Sequence, residues 1–134
     1  MSEAKPDVLA SYGERFQIPG ERRFRSVEEM LSKTRPEAIA AFGSTFDHPD
    51  VVEAAAKAKL PVMMEKPLAV SMEHARRIDA AAKRSGIPVV VNYETTWYRS
   101  HAETWRFFKR QKAAGAIRKM VAMDGHPGPK EIGL

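Results

Sequence analysis

A carboxylate, an amine and a proline stand in a row at Glu65-Lys66-Pro67, directly after the short apolar run Val62-Met63-Met64. A lysine beside a glutamate can donate a proton or orient a ligand hydroxyl. At a partly dry sheet rim, burial would disfavour the charged amine, while Glu65 would favour it. Pro67 removes a backbone donor and fixes the turn, so Lys66 is presented by a rigid corner. The plain alternative is an ion pair that closes a strand. Ser44-Thr45 and Asn92-Tyr93 also follow apolar runs. Asp47-His48-Pro49-Asp50 offers possible metal ligands, but side chains so close together at a helix start diverge, and no metal site is expected. His48 itself is either a cofactor contact or a packing histidine.

These groups need elements to position them. Val62 to Met64 has no helical period and reads as a strand buried on both faces. Ala38 to Phe42 and Val89 to Asn92 read the same way. Between them, Pro49 in a first helical turn starts a helix running through Lys57. Ser71 caps another helix, whose stripe Met72, Ala75, Ile78 and Ala82 faces the sheet until Gly86 ends it. Strands alternating with helices at crossover length imply a parallel sheet. Ser44-Thr45, Glu65-Lys66 and Asn92-Tyr93 then share one carboxyl rim, where open α/β sheets bind ligands. Upstream, Ala4 to Phe16 reads as a helix with Val8, Leu9, Tyr12 and Phe16 near one face. Ser26 and Glu29 form a capping box for a helix to about Lys33. Downstream, Ser100 and Glu103 form a second capping box for a helix ended by Gly115. Ile117 to Met123 reads as a last strand before the loop Asp124 to Pro129. Trp105, Phe107 and Phe108 read as core or interface.

The 134 residues suffice for one compact domain with a core, at 43% hydrophobic and 29% charged. The absence of cysteine excludes disulfides, thiolate metal sites and cysteine nucleophiles. No run reaches membrane-spanning length and no signal peptide is evident, so no membrane partner and a cytoplasmic location are expected. The net charge of +5 is densest at Arg22, Arg23, Arg25 and at Lys109, Arg110, Lys112. Elsewhere Lys and Arg alternate with Glu and Asp as on a solvated face, and no nucleic-acid motif accompanies them. No nucleic-acid partner is expected.

With Ala38 to His48, Glu65-Lys66-Pro67, Asn92-Tyr93-Glu94-Thr95-Thr96-Trp97-Tyr98, the Ser100 to Gly115 helix and Gly125-His126-Pro127-Gly128-Pro129 in this order, the chain resembles the glucose–fructose oxidoreductase / inositol dehydrogenase (Gfo/Idh/MocA) family of NAD(P)-dependent oxidoreductases. The resemblance implies an α/β fold: a partial Rossmann-like parallel sheet with flanking helices, plus the start of a second α+β domain. Residues 1–98 would be the partial NAD(P)-binding domain. Residues 99–134 would be a linker helix and the first strand of a substrate and oligomerisation domain. By the same resemblance, Ser44, Thr45, His48, Glu65, Lys66, Asn92 and Trp97 contact NAD or NADP. Lys66 is the catalytic residue, and Tyr93, Tyr98 and His126 face substrate. Tyr93, Trp97 and Tyr98 could equally be core aromatics, and His126 a structural loop residue. The Lys66–Pro67 bond is expected to be cis.

The chain departs from the family pattern in several places. It contains no G-x-G-x-x-G turn to cradle a pyrophosphate and no downstream Asp-x-x-x-His pair. Ser44-Thr45 replaces the usual Pro-Asn, and Glu94 or Thr95 a frequent Arg. The chain therefore reads as the middle of a longer oxidoreductase, inactive alone, that exchanges hydride with a secondary alcohol of a sugar, cyclitol or related small molecule. The full-length protein would be a homo-oligomer. The alternative is a non-catalytic nucleotide- or polyanion-binding module.

Overall fold

The computed structural model describes residues 1–112, 115–119 and 121. The chain divides into two compact units, Met1–Tyr93 and Glu94–Leu134.

The first unit carries a three-stranded sheet of β1 (Ile39–Ala41), β2 (Val62–Glu65) and β3 (Val89–Asn92), in that spatial order. Both pairings are parallel, with Ala41 opposite Met64, Met64 opposite Val91 and Glu65 opposite Asn92. Helix α3 (His48–Ala58) connects β1 to β2, and α4 (Met72–Ser85) connects β2 to β3. Before the sheet come α1 (Pro6–Arg15) and α2 (Val27–Lys33). A single parallel bridge joins Ser2 to Phe24.

The core lies on one face of the sheet. Ile39, Ala41, Val62 and Met64 meet Val52 and Ala55 of α3 and Ile78 and Ala81 of α4. Both crossovers therefore cover the same face. This corrects the expectation of strands buried on both faces. Along β2, Val62 and Met64 are buried while Met63 and Glu65 are half-buried; in the Met63 row, Ala40 and Val90 are exposed. Side chains alternate across a strand, so helices stacked on one side can dry only every second residue.

Two stripes are also corrected. Met72 is 67% exposed, and α4 buries Ile78 and Ala81. A helix of 14 residues runs about 21 Å, whereas four strand residues span about 13 Å, so the first turn of α4 overhangs the sheet. On α1, Leu9 is buried while Tyr12 and Phe16 are exposed and stack on each other at 5.8 Å.

Local signals set the helix ends. Ser26 Oγ accepts from Glu29 N, and Glu29 reaches back to Arg25 N, one residue beyond the usual partner. Ser71 Oγ accepts from His74 N. Gly86 ends α4 in the left-handed conformation, which costs glycine little. An ion-pair cluster ties α3 to α4. Arg77 Nε donates to Glu53 Oε1 at 2.9 Å, and its Nη2 donates to Glu53 Oε2 at 2.9 Å and Asp50 Oδ1 at 2.6 Å. The Arg77 hydrogen bonds hold the Glu53 carboxyl below its ordinary range.

In the second unit, a 3-10 turn at Glu94–Trp97 precedes α5 (Arg99–Trp105) and a π turn at Arg106–Arg110. The capping box expected at Ser100 is absent. The helix begins at Arg99 after Tyr98, with no side-chain cap, so Ser100 lies inside the first turn and not at its cap position; Glu103 pairs with Arg106. The strand expected from Ile117 is not formed at Ile117, Arg118, Lys119 or Val121, and its other positions lie outside the described residues. These described positions are all exposed, so no apolar face rewards an extended pairing. Among the described residues, no helix is long and apolar enough to cross a membrane.

Candidate functional site

Parallel strands bring the ends of β1, β2 and β3 to one rim. At its centre Glu65 and Asn92 stand opposite each other in register, and Asn92 Nδ2 donates to Glu65 Oε1 at 2.6 Å. The second carboxylate oxygen accepts from the backbone N of Lys66 at 3.2 Å. One carboxylate thus joins two strand ends and fixes the start of the turn after β2. That turn contains the cis Lys66–Pro67 bond.

Lys66 is exposed, which corrects the expectation of a partly desolvated amine. Among the described residues no hydrogen bond or ion pair holds its Nζ. The arrangement presents an exposed cation beside a braced carboxylate, a pairing that can orient a hydroxyl and carry its proton.

Ser44 and Thr45 lie just beyond β1. Ser44 Oγ accepts from Phe46 N at 3.2 Å and so caps the 3-10 turn Thr45–Asp47 that leads into α3. His48 opens α3 and is 1% exposed, with Nδ1 3.1 Å from the Leu68 carbonyl oxygen. Tyr93 follows β3 and is half-exposed. Trp97 and Tyr98 belong to the second unit, where Trp97 is 67% exposed and the Tyr98 ring lies 6.1 Å from His101. His126 lies outside the described residues. Among the described residues no group of three or more His, Cys, Asp or Glu side chains could hold a metal ion.

The sequence reading missed two participants at this rim. The Leu68 carbonyl, which faces His48, has no signature in residue type. His74 packs edge-on against Phe46 at 5.1 Å. Its only sequence signal is its place three residues after the capping Ser71, where a capping box would carry Glu or Gln.

The rim carries donors, an acceptor and a cation. A glycine-rich phosphate cradle does not accompany them. The sequence has no G-x-G-x-x-G, and the positive-φ glycines among the described residues, Gly86 and Gly115, do not follow a strand at this rim.

Comparison with known proteins shows the family and the fold. The chain is 30% identical over 97 residues to a D-apiose dehydrogenase of Paraburkholderia graminis, an alignment covering 72% of this chain and 25% of that protein. It is 33% identical over 69 residues to the myo-inositol dehydrogenase Hyg17 of Streptomyces leeuwenhoekii, covering 52% of this chain and 21% of that protein. The chain thus spans about a quarter of the length of these relatives. The WlbA dehydrogenase of Bordetella pertussis, solved with NADH and UDP-GlcNAcA, shares the fold at a TM-score of 0.69 and 21% identity, over 81% of this chain and 32% of that one. Residues 2–93 match GFO_IDH_MocA, described as the oxidoreductase family with an NAD-binding Rossmann fold. Since that match takes in the whole sheet and its rim, the chain belongs to the GFO_IDH_MocA oxidoreductase family, whose cofactor is NAD.

Proposed function

We propose that the rim of β1 to β3 receives the nicotinamide end of NAD or NADP and sets a secondary alcohol of a sugar, cyclitol or related small molecule against it. The observation that carries this reading is the Asn92–Glu65 bond, which braces two strand ends while leaving Lys66 exposed beside them. When bound, the cofactor supplies the hydride-accepting ring. Lys66 orients the substrate hydroxyl and takes part in moving its proton. Glu65 and Asn92 line the nicotinamide side, with Ser44 and Thr45 toward the ribose and His48 behind them. The family resemblance further assigns Trp97 to the cofactor and Tyr93, Tyr98 and His126 to substrate. Residues 1–98 act as the cofactor domain and 99–134 as the lead into a substrate and oligomerisation domain. The complete protein works as a cytoplasmic homo-oligomer. The sugar and polyol dehydrogenases among its relatives support the substrate class.

Without a glycine-rich turn, the 134-residue chain lacks the backbone amides and helix start that neutralise a pyrophosphate. Titrated with NAD or NADP, it should bind only weakly, with amide shifts concentrated at Ser44, Glu65 and Asn92. Micromolar binding, or shifts confined to other surfaces, would count against the reading. For catalysis, residues 2–93 would replace the matching segment of the D-apiose dehydrogenase. In that chimera Lys66→Ala should lower turnover about 100-fold or more while cofactor affinity changes little. Unchanged turnover would remove Lys66 from the chemistry.

A further inference from the structure

His48 is the only polar or charged side chain among the buried described residues, and a buried polar group in a native fold needs a partner. Its Nδ1 has one, the carbonyl oxygen of Leu68, two residues past Lys66. A carbonyl can only accept, so Nδ1 carries a proton and donates it to Leu68 O. Nε2 is buried and has no protein partner among the described residues. The ring therefore makes one directional bond, and that bond runs from the start of α3 to the turn that presents Lys66. Its ends are 20 residues apart in sequence, across β2. A second contact spans the same two segments in the opposite direction. His74, in the first turn of α4, packs edge-on against Phe46, two residues before His48. Each histidine thus opens one helix and touches the loop leading into the other.

We propose that His48 is a positioning residue: through Nδ1–H to the Leu68 carbonyl it holds the far side of the Lys66–Pro67 turn, while Glu65 holds the near side through Lys66 N. The turn is clamped at both ends, from α3 and from β2. Lys66 Nζ, which no described residue holds, then projects from a fixed backbone. This assignment rests on the reading that Lys66 meets a ligand, but the clamp is testable without any ligand.

The unaltered 134-residue chain gives the first measurement. Long-range 1H–15N correlation of the histidine rings should show a proton on Nδ1 of His48. A ring protonated at Nε2 alone would overturn the proposal without any variant being made. The second measurement uses side chains that place a donor differently. An asparagine amide can stand where Nδ1 stands, a glutamine amide reaches toward Nε2, and phenylalanine keeps the ring without a donor. Backbone 15N order parameters over Lys66 to Ser71 should stay near about 0.85 in His48→Asn and fall toward about 0.6 in His48→Gln and His48→Phe. A merely space-filling role would rank phenylalanine best, and that ranking, or a rigid turn in His48→Gln, would refute the clamp. If the Nδ1 proton and the asparagine rescue hold but NAD leaves the Glu65 and Asn92 signals unmoved, the clamp stands and the proposed function fails.

Discussion

Glu65 and Asn92 are the strongest single link between strand ends at the rim, and their coupling can be measured by a double-mutant cycle of Glu65→Ala, Asn92→Ala and the double variant. The bond is 2.6 Å long, joins an amide donor to a carboxylate, and is part-buried. Hydrogen bonds to charged groups contribute about 1.5–3 kcal/mol when well shielded. Water still reaches this pair, since both residues are half-buried, so the lower end applies and the coupling should be about 1.5 kcal/mol. Glu65 keeps its second bond to Lys66 N when Asn92 is truncated, so the carboxylate stays in place and the cycle isolates one contact. The assay is urea unfolding followed by far-UV circular dichroism, with all four proteins sharing one slope against denaturant. Effects that add within about 0.3–0.5 kcal/mol would show that the two strand ends are not energetically joined. The rim would then not be braced before a ligand arrives.

Three further outcomes follow from the packing. Met64→Ala, at a fully buried side chain in the central strand, should cost about 2–5 kcal/mol, and a loss under 1 kcal/mol by urea unfolding would mean that this core is loosely packed. Gly86→Ala should cost about 1 kcal/mol from backbone conformation alone, because φ is +71° and an added Cβ meets nothing within 4 Å; an unchanged midpoint would contradict the left-handed cap. Arg77→Met removes the partner that lowers the Glu53 carboxyl from its usual value of 4.5. A depressed carboxylate stabilises the fold above about pH 4.5 and loses that contribution as pH falls through its folded value. The stability gap between native and variant should therefore be widest near neutrality and narrow below about pH 4.5, and a gap independent of pH would exclude the ion pair as its source.

Much of the sheet was legible because short apolar runs bounded by proline, glycine and polar turns have few alternatives. The three strands, their parallel pairing and the Ser26, Ser71 and Gly86 helix ends all follow from patterns within a few residues. Positions needing comparison across the chain were not legible. Met72 looks like a core residue on the periodicity of α4, but only the relative lengths of helix and strand reveal that its turn overhangs. Ser100 and Glu103 have capping-box spacing, yet the helix begins one residue earlier, at Arg99.

The sequence by itself determined which residues stand at the strand ends, because alternating strands and helices place the carboxyl ends of β1, β2 and β3 on one side. It also determined that no glycine-rich phosphate cradle is encoded in these 134 residues. Only the tertiary structure decided that both crossover helices cover one face, that Lys66 is exposed, and that His48 is buried against Leu68. Those outcomes depend on contacts between residues distant in the chain. Local propensity carries no record of them, because a side chain's burial and its hydrogen-bond partner are properties of what the rest of the chain brings to it.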